Sequence, residues 1–127
     1  MHKIEKKIKL LSVNEAWQGK RYKTKKYQSY EKILGYTLPN EKINSLNCYY
    51  IIFIFNFANK LSDWDNPIKP LQDILQKKYG FNDRDIYIAL TYKKIVPKKD
   101  EGFIVYIGDS KNFYDDLEII KKQQKIE

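Results

Sequence analysis

Tyr49-Tyr50-Ile51-Ile52-Phe53-Ile54-Phe55-Asn56-Phe57 is apolar almost throughout, and its residues are mainly β-branched or aromatic. Such side chains fit a pleated surface, and nine of them without polar alternation read as a central strand covered on both faces. The wider run from Cys48 to Ala58 is eleven residues long and contains Asn56, too short to span a bilayer. Asn59, Lys60 and Ser62 mark its exit, and Asp63-Trp64-Asp65-Asn66-Pro67-Ile68-Lys69 follows. From there the period changes. Ile68, Leu71, Ile74 and Leu75 make an apolar stripe, with Lys69, Gln72, Asp73, Gln76 and Lys77 on the polar side. Asn66 reads as the N-cap, Pro67 as the first helical residue, and Gly80 as the stop. Asn82-Asp83-Arg84-Asp85 then leads into a second strand over 86–92, which Lys93-Lys94-Ile95-Val96 prolongs toward Pro97. After a hairpin-like turn over 98–102, residues 103–107 read as its antiparallel partner.

Upstream, residues 3–11 read as a basic first strand, with Ile8 and Leu10 alternating with Lys7 and Lys9. Residues 12–19 read as a loop, broken by Ser12, Asn14 and Gly19. Five basic residues fall within 20–26, interleaved with Trp17, Tyr22, Tyr27 and Tyr30. Thr24 caps an expected helix to about Leu34, with Gly35 as its stop. Cations at a helix start oppose its dipole, a mismatch that a bound phosphate would relieve. The plainer alternative is a solvated lysine-rich loop with the tyrosines in the core. Residues 115–124 have weak helical spacing. The order is roughly β-α-β-α-β-β with a C-terminal helix. The fold class is therefore α/β (α+β), a small mixed β-sheet with helices packed on it.

At 127 residues the chain reads as one domain. Lysine and arginine number 24 against 16 acidic residues, a net charge of +8 that favours a polyanion or an anionic membrane. Lysine outnumbers arginine 22 to 2, so phosphates would meet point charges rather than bidentate forks. Cys48 is the only cysteine, which excludes an intramolecular disulfide and a cysteine-based zinc site within one chain. It reads as a small core residue. With no apolar stretch of signal-peptide type near Met1, the expected protein is soluble and cytoplasmic.

Against that basic background the aspartates stand out. If the backbone at 63–65 is extended, Asp63 and Asp65 share one face and Trp64 turns into the core. Two carboxylates held close repel unless a cation joins them, and Mg²⁺ suits hard oxygen ligands. Lys69, on the first turn of the helix, is within reach of such a site and of a phosphate held there. The bland reading is an Asx turn and a helix cap. Geometry strains the third ligand. A full-length helix is about 20 Å long and four extended residues reach about 14 Å. Asp83 therefore joins Asp65 only if the helix is shorter or bent, or if it reaches the aspartates of a partner subunit. Asp85 is the competing candidate, and Asp73 reads as an ion-pair partner of Lys69 or Lys77.

Three blocks together resemble the RusA-type crossover junction endodeoxyribonucleases, the Holliday junction resolvases. They are Ser12-Val13-Asn14-Glu15-Ala16-Trp17 with the basic 20–26 segment; Asp63-Trp64-Asp65-Asn66 with Lys69, matching D-x-D-N-x-x-K; and Asn82-Asp83-Arg84-Asp85-Ile86, similar to D-D-x-x-[IV]. Asn82 departs from an acidic family position, and Asp85 is acidic where the family is frequently Gln. The likeness covers about residues 8–107. It implies a RusA-like endonuclease domain over 1–108 and a partly helical C-terminal extension over 109–127. It also implies Asp63, Asp65 and Asp83 as metal-binding carboxylates for Mg²⁺, or Mn²⁺, and Lys69 as the catalytic lysine. The expected function is a homodimer that resolves four-way DNA junctions by paired phosphodiester hydrolysis leaving 5′-phosphates. Its DNA contacts would come from Asn14, Trp17, Lys20, Arg21, Lys23, Lys25 and Lys26, with no membrane partner. The rivals are a non-catalytic branched-DNA-binding protein and a general nucleic-acid or anionic-membrane binding module whose aspartates serve only as caps.

Overall fold

The computed structural model describes residues 1–19, 22–43 and 48–126. The chain runs β1 (His2–Lys7), α1 (Val13–Ala16), β2 (Trp17–Gln18), β3 (Tyr22–Lys23), α2 (Lys25–Thr37), β4 (Tyr49–Phe57), α3 (Ile68–Tyr79), β5 (Ile86–Ile95), β6 (Gly102–Asp109) and α4 (Phe113–Gln124). Short 3-10 turns at Asp83–Asp85, Lys98–Asp100 and Ser110–Asn112 join the later elements. One four-stranded mixed sheet has the order β1-β6-β4-β5, and β2 and β3 form a separate two-stranded ribbon. This is the small α+β architecture expected from the sequence.

β4 is the strand expected, and it is central. Ile51, Phe53, Phe55 and Phe57 point into one core with Tyr27, Tyr30 and Leu34 of α2 and Leu71, Ile74, Leu75 and Tyr79 of α3. Tyr50, Ile52 and Ile54 point the other way, into a second core with Tyr106, Phe113 and Ile120. Alternation along the strand thus feeds two layers from one segment. α4 is the lid of the second core. It is fastened where Tyr50 Oη donates to Asp116 Oδ2 at 2.7 Å and Gln124 Nε2 donates to Tyr106 Oη at 2.8 Å. The segment after 108 is therefore packed on the sheet as one of its covering layers.

The pairing of β6 corrects the hairpin expectation. β5 runs parallel to β4, whereas β6 lies on the opposite side of β4, antiparallel to both β4 and β1. Burial gives the reason. β6 is buried nearly throughout, whereas β5 alternates between exposed and half-buried residues. The more apolar strand takes the centre, and the strand carrying Tyr87, Lys93 and Lys94 takes the edge. The chain crosses the end of β4 between them, with Val96 N–H donating to Phe57 O at 2.8 Å.

Local chemistry adjusts other expected boundaries. β1 ends at Lys7, four residues short of the expected limit, and Leu10 and Leu11 then turn into the core. The expected loop after residue 11 holds the one-turn α1, built on a capping box of Ser12 and Glu15. α2 does start from Thr24, whose hydroxyl accepts from Tyr27 N–H at 3.1 Å, but it runs through Gly35 to Thr37. α3 begins one residue later than expected, with Pro67 rather than Asn66 at the cap. Pro70 in its first turn costs little, because first-turn amides lack intrahelical partners. Gly80, at φ 77°, ends it in the left-handed conformation. Among the described residues no helix is long and apolar enough to cross a membrane.

Gly102 is required by close approach. A Cβ there would stand 2.2 Å from the Lys6 carbonyl oxygen, on backbone that cannot swing aside. Gly102→Ala should therefore destabilise the fold by about 1–3 kcal/mol in urea unfolding.

The tyrosine-rich core also predicts alkaline sensitivity. Burial raises Tyr27 and Tyr79 from the ordinary 10.0 to about 12, and raises Tyr30 and Tyr50 as well. The folded state keeps these protons while the unfolded chain releases them near pH 10. For Tyr27 and Tyr79 the contribution is thus complete below pH 10 and is lost as pH rises through 12, with a slope of about 1.4 kcal/mol per pH unit for each. Urea midpoints measured from pH 8 to 11.5 should stay level and then fall.

Candidate active site and nucleic-acid interface

The acidic loop leaves the C-terminal end of β4. Asn59 Oδ1 accepts from Leu61 N–H at 2.8 Å, and Lys93 Nζ of β5 donates to the carbonyls of Lys60 and Ser62. Residues 64–67 then form a turn. Asn66 N–H donates to Asp63 O at 3.3 Å and Ile68 N–H to Asp65 O at 3.1 Å. From the other side Val13 N–H donates to Asn66 O at 2.8 Å, which ties the loop to α1. Because the segment turns, the alternation expected for an extended chain does not hold. Asp63 and Asp65 are both exposed, and Trp64 is 54% exposed instead of anchored in the core. Leu61, beside them, is 81% exposed. Trp64 lines an open groove of about 590 Å³ with Ile68 and Gln72 of α3 and Ala89, Thr91 and Lys93 of β5.

Lys69 stands on the first turn of α3, exposed, with its Nζ 3.1 Å from Asp73 Oδ1. It pairs up the helix, as the i, i+4 spacing allows, and not back toward the aspartates. An exposed pair of this kind is worth about 0.3–0.5 kcal/mol, so an arriving phosphate competes with it easily.

Asp83 lies far from this loop. It opens the 3-10 turn Asp83–Asp85, where Asn82 caps by accepting from Arg84 N–H at 3.0 Å. That turn feeds the N-terminal end of β5, whereas Asp63 and Asp65 follow the C-terminal end of the parallel β4. The two sites sit at opposite ends of the sheet, on the order of 25 Å apart along the strands. α3 has its full twelve residues, so the shortened-helix route is not taken. The turn also removes the extended geometry in which Asp85 shared a side with Asp83. Among the described residues no three His, Cys, Asp or Glu side chains gather as a metal-ligand group. Within one chain the carboxylates present do not fit a three-ligand Mg²⁺ centre.

The expected DNA contacts are only partly free. Lys20 and Arg21 lie outside the described residues. Asn14 is exposed on α1, its N–H donating to Ser12 Oγ at 3.2 Å. Trp17 is half-buried and packs edge-on to Tyr27 at 5.3 Å, a core role rather than a stacking platform. Lys23 pairs with Glu31 at 2.9 Å and lies over the Tyr27 ring. Lys26 pairs with Glu15 at 3.0 Å, a bond that holds the Glu15 carboxyl below the ordinary carboxylate range. Lys25 and Tyr22 are exposed. The cations around the start of α2 are thus partly balanced from inside the chain, by Glu15 and Glu31.

Sequence reasoning passed over a polar recess of about 170 Å³ at the foot of the acidic loop. Lys9, Ser12, Glu15, Asn59, Ser62 and Asn66 are among its lining residues. The signal available was the Ser12-x-x-Glu15 capping pattern, which brings α1 against the loop. Neither protein-family models nor curated proteins give a match to this chain. The resemblance to RusA-type nucleases therefore rests on the quoted motifs and their order in the sequence.

The exposure of Trp64 has a direct consequence. Trp64→Ala should change stability by less than about 0.5 kcal/mol, where a core tryptophan would cost about 3–5. Acrylamide quenching of the remaining Trp17 should be weaker than that of the native protein.

Proposed function

We propose that the chain is a structure-selective endodeoxyribonuclease acting on four-way or branched DNA as a homodimer, with Mg²⁺ or Mn²⁺ as cofactor. One observation carries the reading. Asp63 and Asp65, with Lys69, are exposed at one end of the edge strand β5, and Asp83 is exposed at the other. A second copy laid antiparallel along β5 reverses that order. If the two-fold axis passes between Ile88 and Leu90, Asp83 of the second copy falls opposite residues 93–97, at the acidic-loop end. The edge suits such a partner. Among the described residues its outer backbone groups have no partner strand, Tyr87 is 70% and Ile95 53% exposed, and the Trp64 groove opens beside it. Two equivalent sites match the two strands to be cut in a junction of approximate two-fold symmetry. Asp63, Asp65 and Asp83 of the second copy would hold the cation, and Lys69 would meet the phosphate. With DNA as substrate, this reading puts the protein in the cytoplasm.

A second reading is a non-catalytic branched-DNA or general nucleic-acid-binding protein. It is favoured by the dispersal of the carboxylates within one chain and by the pairing of Lys69 with Asp73.

Mixing two inactive variants separates these readings. Asp65→Asn and Asp83→Asn alone should each fail to nick a synthetic mobile four-way junction in Mg²⁺. Co-refolded, they form heterodimers with one intact site, and single nicks should return. Junction binding with no nicks from native protein or mixture, unaffected by EDTA, would select the non-catalytic reading. Nicking by native protein with no rescue in the mixture would place Asp83 in cis.

A further inference from the structure

The described lysines of the 20–26 segment are largely engaged, yet the chain carries a net charge of +8. A second cationic surface lies where β1 ends and the chain turns into β6. Lys7, Lys9, Lys98 and Lys99 line one open groove of about 360 Å³, with Ile8 and Ala58 also lining it. Two acids stand near. Glu101 Oε2 accepts from Leu10 N–H at 2.9 Å, and Asp100 pairs with Lys7 at 3.2 Å. Lys9, Lys98 and Lys99 are exposed. The Lys98–Asp100 turn is held in place, with Asp100 N–H donating to Pro97 O at 2.8 Å. The lysines are therefore presented from a fixed frame.

We propose that this groove is a phosphate-backbone track that leads a DNA strand to the Asp63–Asp65 loop. The two are continuous. Lys9, Ala58 and Glu101 line both the groove and the polar recess, and the recess also has Ser62 and Asn66, which flank the two aspartates. A strand held by its phosphates on the lysines is thereby aimed along hydrogen-bonding side chains toward the carboxylates. The carboxylates themselves repel a phosphodiester, so cations on the approach offset that repulsion and set the strand's register. The concave shape fits a strand rather than a flat lipid surface. The inference rests on the DNA-acting reading above but holds for either its catalytic or its non-catalytic form.

The test is the salt dependence of binding to a fluorescein-labelled four-way junction, read by anisotropy, for native protein, Lys98→Ala/Lys99→Ala and Lys98→Arg/Lys99→Arg. Removing two phosphate contacts should lower the slope of log affinity against log salt by about 1.5–2 and weaken binding about tenfold at low salt. The arginine pair should behave as native. A native slope in the alanine pair overturns the track while leaving DNA binding standing. If native protein does not bind DNA, or binds anionic vesicles instead, the track and the DNA-acting reading fall together.

Discussion

The two-sided burial of β4 is the constraint on which the rest of the structure depends. Nine consecutive residues with no solvated face must be covered above and below, and flanked on both edges. α2 and α3 supply one cover and α4 the other, while β5 and β6 pair with β4 on its two sides. Because α3 crosses over between parallel strands, the loop after β4 and the turn before β5 are forced to opposite ends of the sheet. The positions of Asp63, Asp65, Lys69 and Asp83 follow from that crossover.

Charge is distributed by the same frame. Several acidic residues serve the fold: Glu101 holds the backbone of Leu10, Asp116 the hydroxyl of Tyr50, and Glu15 and Glu31 the lysines around α2. Asp63, Asp65 and Asp83 differ in having exposed side chains that pair with no cation among the described residues. Groups left exposed and unneutralised on a fixed loop are available to a ligand, whereas those that hold backbone or bury a tyrosine are not. The distinction separates structural from candidate functional carboxylates more sharply than their spacing in the sequence does.

The proposed dimer and the proposed lysine track address different halves of one difficulty. A protein that acts on DNA through carboxylates has to gather negative charge and still attract a polyanion. Edge pairing along β5 would gather the charge from two copies, and the lysine groove beside the loop would offset it. Both use surfaces that a single folded chain leaves open: a strand edge with exposed aromatic and aliphatic residues, and a cluster of exposed lysines.

The sequence by itself determined the elements whose stability is local or compositional. Tyr49–Phe57 could only be a covered strand, Thr24 and Gly80 punctuate helices by their own chemistry, and the weak spacing over 115–124 marked most of the helix Phe113–Gln124. Asp73 was legible as an ion-pair partner of Lys69 or Lys77, because four residues on a helix fix a distance, and the fold pairs it with Lys69. What depended on long-range pairing was not legible. Whether 103–109 joins β5 or the centre of the sheet is decided by total burial, which no window of sequence contains. Trp64 was misplaced because alternation presumes an extended backbone, and hydrogen bonds to Asp63 O and Asp65 O curl the segment instead. The separation of Asp83 from Asp63 and Asp65 was foreshadowed by the length of α3. Only the parallel pairing of β4 with β5 made it final, because a parallel crossover returns the chain to the end of the sheet from which it set out.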